Sequence, residues 1–108
     1  MSKTITLHCY GRAKLGEYSL FWSAYAPDEA PAWDFTEHLE TAQFTVPESW
    51  PHVYIDGRNG NHLIYSAEFA ADDGSKGYLT TNAAGFPVVC NFRTGERTPL
   101  EMVQKGGQ

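Results

Sequence analysis

Basic residues are absent from a long central part of the sequence. No Lys or Arg occurs between Lys14 and Arg58, whereas that interval contains eight acidic residues: Glu17, Asp28, Glu29, Asp34, Glu37, Glu40, Glu48 and Asp56. The whole chain of 108 residues has a formal net charge of -5. Nucleic-acid binding needs a basic surface that neutralises phosphates. We therefore expect no general nucleic-acid binding.

Long hydrophobic runs are also absent. A membrane-spanning helix needs about 20 mostly apolar residues, and the sequence has no such segment and no apolar stretch typical of a signal peptide after Met1. We expect a cytoplasmic protein without a membrane partner. Cysteine is scarce, with only Cys9 and Cys90. In a reducing compartment two such distant cysteines are usually buried thiols.

The motifs of common catalytic centres are missing. The sequence contains no Gly-x-Ser-x-Gly, His-Glu-x-x-His or Cys-x-x-Cys. Residues 11–16 have the glycine spacing of a phosphate-binding loop, but Glu17 and Tyr18 stand where that loop needs Lys and Ser or Thr. His8 and Cys9 are neighbours on a predicted strand and point to opposite faces, so they cannot form a nucleophilic pair. We expect no cofactor, and a non-enzymatic function is favoured.

What the sequence does contain is a series of short alternating runs rich in aromatic and β-branched residues. This pattern predicts a mainly β, antiparallel fold of about six or seven short strands, as a sandwich or a partly open barrel. The alternative is an α+β fold with one short helix, because residues 34–41 fit either a helix or a strand. We expect one small domain over residues 1–108, with a frayed tail at 104–108.

The predicted strands cover residues 3–10, 17–26, about 39–46, 77–81 and 86–93, together with a hairpin between 52 and 69. Residues 97–103 predict either a last strand or a single helical turn. In the strand at 86–93, alternation places Phe86, Val88, Cys90 and Phe92 on one apolar face, so Cys90 is expected in the core.

The segment "DGRNGN" at residues 56–61 interrupts this hairpin. A three-residue loop at 58–60 would pair Ile55 with Leu63, with Gly60 in the left-handed conformation. The same register pairs Asp56 with His62. It also separates His52 from His62 by about 13 Å along the strands, which is too far for one zinc ion. Arg58 occupies a position where a calcium loop needs an oxygen ligand. We therefore expect no metal site.

The functional hypothesis rests on acidic and aromatic residues in proline-broken segments between 28 and 50. Exposed aromatic side chains are typical binding anchors, and charge of one sign steers association. We expect a small acidic adaptor or inhibitor that binds a basic surface on another protein through Asp28, Glu29, Trp33, Asp34, Phe35, Glu37, Glu40, Glu48 and Trp50. The alternative is that Trp33 and Trp50 cover the core edge while the acids only maintain solubility. A homodimer through exposed strand edges is also open.

A hypothesis of another class is a small enzyme or ligand-binding domain. Its cleft would be lined by Tyr10, Trp22, His62 and Tyr65, which supply polar aromatic groups. A deep pocket with convergent titratable groups would favour this hypothesis, and a filled core would disfavour it.

Overall fold

The computed structural model describes residues 3–28, 36–59 and 62–103, which form strands and turns without a helix. The strands are β1 (Thr4–Lys14), β2 (Glu17–Ser23), β3 (Thr36–Thr45), β4 (His52–Asn59), β5 (His62–Ala70), β6 (Lys76–Thr81), β7 (Pro87–Asn91), β8 (Arg97–Pro99) and β9 (Glu101–Met102). Within these residues there is no helix that is long and apolar enough to cross a bilayer.

Two antiparallel sheets contain these strands. The first sheet has the order β2-β1-β3-β9, and the second has the order β4-β5-β6-β7-β8. One hydrophobic cluster is built from both sheets, with Leu7 and Phe44 from the first and Phe69 and Val89 from the second completely buried. The predicted mainly β, antiparallel fold is confirmed.

The first hairpin follows the predicted alternation. β1 and β2 pair in one unbroken register over residues 8–14 and 17–23. Leu15 and Gly16 close the turn with φ angles of 50° and 85°, which is the conformation of a two-residue type I′ turn. Because paired residues share a face, Cys9 and Trp22 both point toward the second sheet. We call this side of the first sheet the core face and the opposite side the outer face.

Leu15 is an unfavourable residue for its position in this turn. Its side chain is 92% exposed, and its left-handed backbone suits Asn or Gly better than a branched aliphatic residue. We expect Leu15→Asn to raise the free energy of unfolding by about 0.5–1 kcal/mol, as measured by urea denaturation. Leu15→Ala is the control, and an equal gain from both variants would contradict the conformational explanation.

β3 resolves the ambiguity at residues 34–41, as far as the structure describes them. Residues 36–45 form a strand that pairs with β1 on the side opposite β2. The register shifts between Cys9 and Tyr10, so Glu40 faces Cys9 and His38 faces Tyr10, with Leu39 as the extra residue. Strand pairing with β1 therefore decides the local structure, and the strand starts earlier than the predicted position of about 39.

The core face of β7 differs from the prediction. Val89 is completely buried in the shared core, whereas Phe92 is 61% exposed. Val88 and Cys90 are also buried, but they lie on the other side of the strand, outside the shared core cluster. Val88, Cys90 and Phe92 do lie on one face, since Cys90 is paired with Tyr78 and Phe92 packs against Tyr78. The prediction is wrong in making this the core face and in including Phe86, which packs against Phe44 in the shared core. A strand that is buried on both sides has no polar residues to show which face meets the core.

The hairpin of β4 and β5 forms with a register that differs from the predicted one. Ile55 pairs with Ala67 rather than Leu63, and Asp56 pairs with Ser66 rather than His62. Between the Asp56 pair and the Arg58 pair, one residue of β4 opposes two residues of β5. This bulge shifts the register, and an assumed regular ladder cannot anticipate it. The predicted left-handed Gly60 lies outside the described residues.

Trp50 lies over β6 at Gly77, where the absence of a side chain leaves space for its ring. A Cβ at position 77 would be 3.2 Å from Trp50 Cη2 and 2.8 Å from Val89 Cγ1. We expect Gly77→Ala to lower the free energy of unfolding by about 1–3 kcal/mol, since overfilling a packed core forces its neighbours to move. Urea denaturation would measure this, with the exposed neighbour Lys76→Ala as control; equal effects at both positions would contradict the packing explanation.

The predicted last strand at 97–103 consists of two short strands in different sheets. β8 pairs with β7 in the second sheet, and β9 pairs with β3 in the first. Leu100, which joins them, is 2% exposed and belongs to the shared core. The chain therefore crosses from one sheet to the other at a single buried residue.

Candidate functional site

The described residues include part of the predicted partner-binding set. Asp28, Glu37, Glu40 and Glu48 are exposed and Trp50 is buried. The remaining predicted residues lie outside the described part of the chain: Glu29, Trp33, Asp34 and Phe35.

Trp50 is a core residue. It is 5% exposed and packs in the cluster shared by the two sheets. A turn brings it there, since the Trp50 backbone N–H donates to the Pro47 carbonyl oxygen at 2.9 Å. The prediction that Trp50 is an exposed anchor is wrong, and the alternative that it covers the core is correct for this residue.

The four exposed acids do not form one continuous surface. Glu37 and Glu40 are paired with Gly11 and Cys9, so they point to the core face of the first sheet. Asp28 is close enough to Tyr10 on the outer face to raise the pKa of its phenol, after the larger effect of burial. Glu48 lies in the turn before Trp50. Only Glu37 and Glu40 are neighbours on one face.

The core face of the first sheet extends beyond the buried core, and its far end carries exposed apolar side chains beside these two acids. The Tyr18 hydroxyl lies directly over Gly11, and Leu39 Cδ1 is 3.2 Å from the point where a Gly11 Cβ would be. Tyr18, Leu39 and Leu20 are 57%, 43% and 41% exposed. We call Tyr18, Leu20, Glu37, Leu39 and Glu40 the distal patch.

The carboxylates of the distal patch have no basic neighbour among the described side chains. Among the described residues, only His52 and Asp72 form an ion pair, with 3.0 Å between His52 Nε2 and Asp72 Oδ1. Burial, and secondly the charge of Glu40, raises the pKa of the Cys9 thiol. The charge of Glu40 therefore acts on the core beneath it as well as on the surface. The distal patch can accept cationic groups beside apolar contacts.

A second group of polar side chains lies on the outer face of the first sheet. Thr41 Oγ1 is 3.1 Å from His8 Nδ1 and 3.1 Å from His38 Nε2. Tyr10 packs edge-on against His38 and stacks on Phe21, with ring centroids 5.4 Å and 5.5 Å apart. No group of three or more His, Cys, Asp or Glu among the described residues has the arrangement to hold a metal ion. Together these side chains form a packed aromatic layer on the outer face.

Tyr10 and Asp28 give this layer a measurable pH dependence. Because the pKa of Tyr10 is raised, its neutral phenol stabilises the fold fully below the ordinary value of about 10, and that contribution is lost as pH rises through the folded-state pKa. We expect Asp28→Asn to lower the pKa of Tyr10, as followed by near-ultraviolet absorbance. Tyr10→Phe identifies its signal among the other tyrosines, and unchanged titration in Asp28→Asn would contradict the contact.

The hypothesis of an aromatic cleft is not supported by the residues that are described. Tyr10 is on the outer face, whereas Trp22 is in the core, where its Nε1–H donates to the Gly85 carbonyl oxygen at 2.9 Å. These two side chains cannot line one cleft. The side chains of His62 and Tyr65 lie outside the described residues.

One open depression of about 280 Å³ lies elsewhere, between the turn at 73–76 and residues 92–93. Its charged side chains include Asp73 and Arg93. A backbone hydrogen bond from Ser75, a second bond from the Ser75 side chain and the charge of Arg93 lower the pKa of Asp73. Hydrogen bonds within its own turn thus already satisfy the Asp73 carboxylate. The turn accounts for the polar character of the depression.

Comparison with family models, curated proteins and solved structures finds no match.

Sequence reasoning missed the apolar half of the distal patch. Alternation over the predicted strand at 17–26 puts Tyr18, Leu20 and Trp22 on one face, but it does not indicate where the second sheet stops covering that face. Trp22 is buried, whereas Leu20 and Tyr18 are progressively more exposed. The sequence signal for this apolar surface is Leu15, an apolar residue between the two predicted strands. In the structure this residue is almost fully exposed.

Proposed function

We propose that the protein is a small acidic cytoplasmic adaptor or inhibitor, without catalytic activity, which binds a basic surface of a partner protein through the distal patch. The observation that carries this proposal is the combination of exposed apolar side chains with two carboxylates that lack a described basic neighbour. Partner interfaces are commonly built from apolar or aromatic anchors with polar groups at the rim. The predicted acidic segment contributes Glu37 and Glu40 to this surface.

The backbone conformation and the exposure of Leu15 support the proposal. It combines a φ of 50° with 92% exposure, so it contributes little packing in return for an unfavourable conformation. Strained backbone conformations cluster at functional sites, and contiguous exposed apolar surface marks interaction sites. Leu15 follows β1 directly and lies at the same end of the hairpin as Tyr18.

The overall charge favours a basic partner. The chain has a net charge of -5, and the interval between Lys14 and Arg58 supplies the excess of acid. Complementary charge increases association rates and disfavours acidic competitors. The two cysteines are free and buried, as suits a reducing compartment.

Charge reversal at the distal patch tests the proposal. The double variant Glu37→Lys/Glu40→Lys and the control Glu96→Lys/Glu101→Lys make the same change in net charge at exposed acids. Proteins captured from a lysate of the source organism by immobilised wild type would be identified, purified and measured individually. We expect the patch variant to weaken binding by about tenfold or more and the control to have a smaller effect. Equal weakening by both variants, or capture of acidic partners only, would contradict the proposal.

A further inference from the structure

A β-bulge in β3 brings a second histidine to the outer face of the first sheet. His38 and Thr41 are three residues apart, so in a regular strand their side chains would point to opposite faces. The register shift in the pairing of β3 with β1 leaves Leu39 as an extra residue, and His38 and Thr41 therefore share the outer face. Bulges are often found next to functional sites, where they redirect a side chain. This bulge places His38 beside His8 of β1.

The two histidines each turn one ring nitrogen toward the same point. His8 lies directly opposite Thr41 in the pairing of β1 with β3. Its Nδ1 is 3.1 Å from Thr41 Oγ1, and His38 Nε2 is 3.1 Å from the same oxygen. The ring centroids of the two histidines are 5.4 Å apart, with 52° between the ring planes. Two imidazole nitrogens from neighbouring strands thus converge on one hydroxyl group.

This spacing is that of two imidazoles bound to one metal ion. A histidine nitrogen lies about 2.0–2.1 Å from a bound zinc ion, so two imidazoles at a tetrahedral angle have ring centroids about 5.2 Å apart. The 5.4 Å between the ring centroids of His8 and His38 agrees with this value. Small side-chain rotations therefore suffice to exchange the Thr41 hydroxyl for a metal ion as the shared neighbour of both nitrogens.

We infer that His8 and His38 bind a divalent transition-metal ion between β1 and β3. Neutral imidazole is a common ligand of Zn²⁺, Ni²⁺ and Cu²⁺, and Cu²⁺ binds such nitrogen sites most strongly. No third His, Cys, Asp or Glu of the described chain completes this pair, so water fills the other positions and binding is weaker than at a structural zinc site. The expectation of no metal site rested on His52, His62 and Arg58, which belong to the second sheet.

The charges around the two histidines are compatible with a bound cation. Tyr10 packs edge-on against His38, and Asp28 is close enough to act on the Tyr10 phenol. Arg12 is a basic residue of the same face, but its guanidinium lies 5.4 Å from the centre of the Phe21 ring of β2, and β1 separates β2 from β3. The net charge of -5 also favours a cation.

The metal site and the distal patch are on opposite faces of β3. Glu37 and Glu40 point to the core face, whereas His38 and Thr41 point to the outer face. A metal ion therefore leaves the proposed partner surface free, and it links β1 to β3 beside the bulge that interrupts their regular pairing. Because the two sites share no residue, the metal site goes beyond the proposed function and does not depend on it.

Calorimetric titration with Zn²⁺ and, separately, with Cu²⁺ tests this site. We expect one ion per chain, bound in the micromolar range, with Cu²⁺ bound at least about tenfold more tightly than Zn²⁺. His8→Gln and His38→Gln are each expected to weaken binding by about tenfold or more, because each removes one of two protein ligands. The control His52→Gln removes a histidine whose Nε2 is 3.0 Å from Asp72 Oδ1, and it leaves metal binding unchanged.

The paramagnetism of Cu²⁺ identifies the ligands in the wild-type protein, so this measurement does not require any variant to fold. Substoichiometric Cu²⁺ broadens the NMR signals of the protons closest to the bound ion. We expect the imidazole signals of His8 and His38 and the methyl signal of Thr41 to disappear before the imidazole signals of His52. Zn²⁺, which is diamagnetic, is the control and shifts the same signals without broadening them.

A carboxylate at position 41 tests whether the two nitrogens converge there. Thr41→Asp adds a third ligand and creates the two-histidine, one-carboxylate set that binds divalent metals in other proteins. Gln43→Asp is the control, because it adds the same charge to the same face of β3 two residues further along the strand. We expect Thr41→Asp to tighten Zn²⁺ binding by about tenfold or more and Gln43→Asp to have little effect.

Each contrary result overturns the inference. The contrary results are no binding by the wild type, binding that survives the loss of both histidines, equal weakening by the control histidine variant, and Cu²⁺ broadening centred elsewhere. Equal tightening by the two aspartate variants would show a general attraction of cations to the face instead of a site at the two histidines. The charge-reversal experiment on Glu37 and Glu40 decides the proposed function separately in every case.

Discussion

Replacing Trp50 by alanine is expected to lower the free energy of unfolding by about 3–5 kcal/mol, which is a large part of the stability of a small domain. The ring is buried against Gly77 and belongs to the core shared by both sheets. Truncation removes its apolar contacts and leaves a cavity that the surrounding strands cannot fill. Urea denaturation followed by circular dichroism would measure the loss.

Tyr54→Ala is the matched control for this experiment, because Tyr54 is an aromatic residue of the adjacent strand that is 55% exposed. We expect it to lower the free energy of unfolding by less than about 1 kcal/mol. If Trp50→Ala had a similarly small effect while abolishing partner binding, Trp50 would be a surface anchor and its core position would be wrong.

Truncation of Trp22 is expected to have an effect of the same size for a different reason. Its ring packs edge-on against Phe44 at 5.1 Å between centroids. Its indole N–H donates to the Gly85 carbonyl oxygen at 2.9 Å, so one side chain links the first hairpin to the turn between β6 and β7. We expect Trp22→Ala to lower the free energy of unfolding by about 3–5 kcal/mol.

Trp22→Phe separates the two contributions, because phenylalanine retains most of the apolar contact but has no donor for Gly85. The expected loss is about 1–3 kcal/mol, the cost of an unpaired acceptor together with a smaller ring. Urea denaturation of both variants gives the comparison. Equal losses for the two substitutions would show that the hydrogen bond, rather than the ring packing, is the main contribution.

The fold class and the first hairpin could be predicted from the sequence because their determinants are local. Alternation over residues 3–10 and 17–26 determines the two strands and the faces of their side chains, although β1 continues to Lys14 and β2 ends at Ser23. Residues 36–45 required more than local information. Their strand structure depends on pairing with β1, although the alternating residues Ala42 and Phe44 already favoured a strand.

The errors have physical causes that act across the chain. The β4 and β5 register depends on a bulge, and the core face of β7 depends on which side of an apolar run meets the other sheet. The position of Trp50 depends on space over Gly77, which is distant in sequence. None of these determinants is contained in a local pattern of polarity.

The candidate site was predictable only in part. The excess of acidic residues between Lys14 and Arg58 predicts a binding role for Glu37 and Glu40, and these two residues lie on one face of β3. Their apolar companions Tyr18 and Leu20 come from another strand and resemble core residues in any alternation analysis. The exposure of these residues results from the extent of the overlap between the two sheets, which only the three-dimensional structure reveals.

The crossing at Leu100 has a consequence for the order in which the protein folds during synthesis. β8 and β9 are the final pairing partners of β7 and β3, and the ribosome makes them after every other described strand. Until residues 97–102 emerge from the exit tunnel, β7 and β3 lack these pairing partners. The place of Leu100 in the core is then empty. The contact of β9 with β3 also spans much of the chain, and such non-local contacts slow folding. The nascent chain therefore exposes apolar surface until residues 97–102 are available, and chaperone binding during translation is the expected protection.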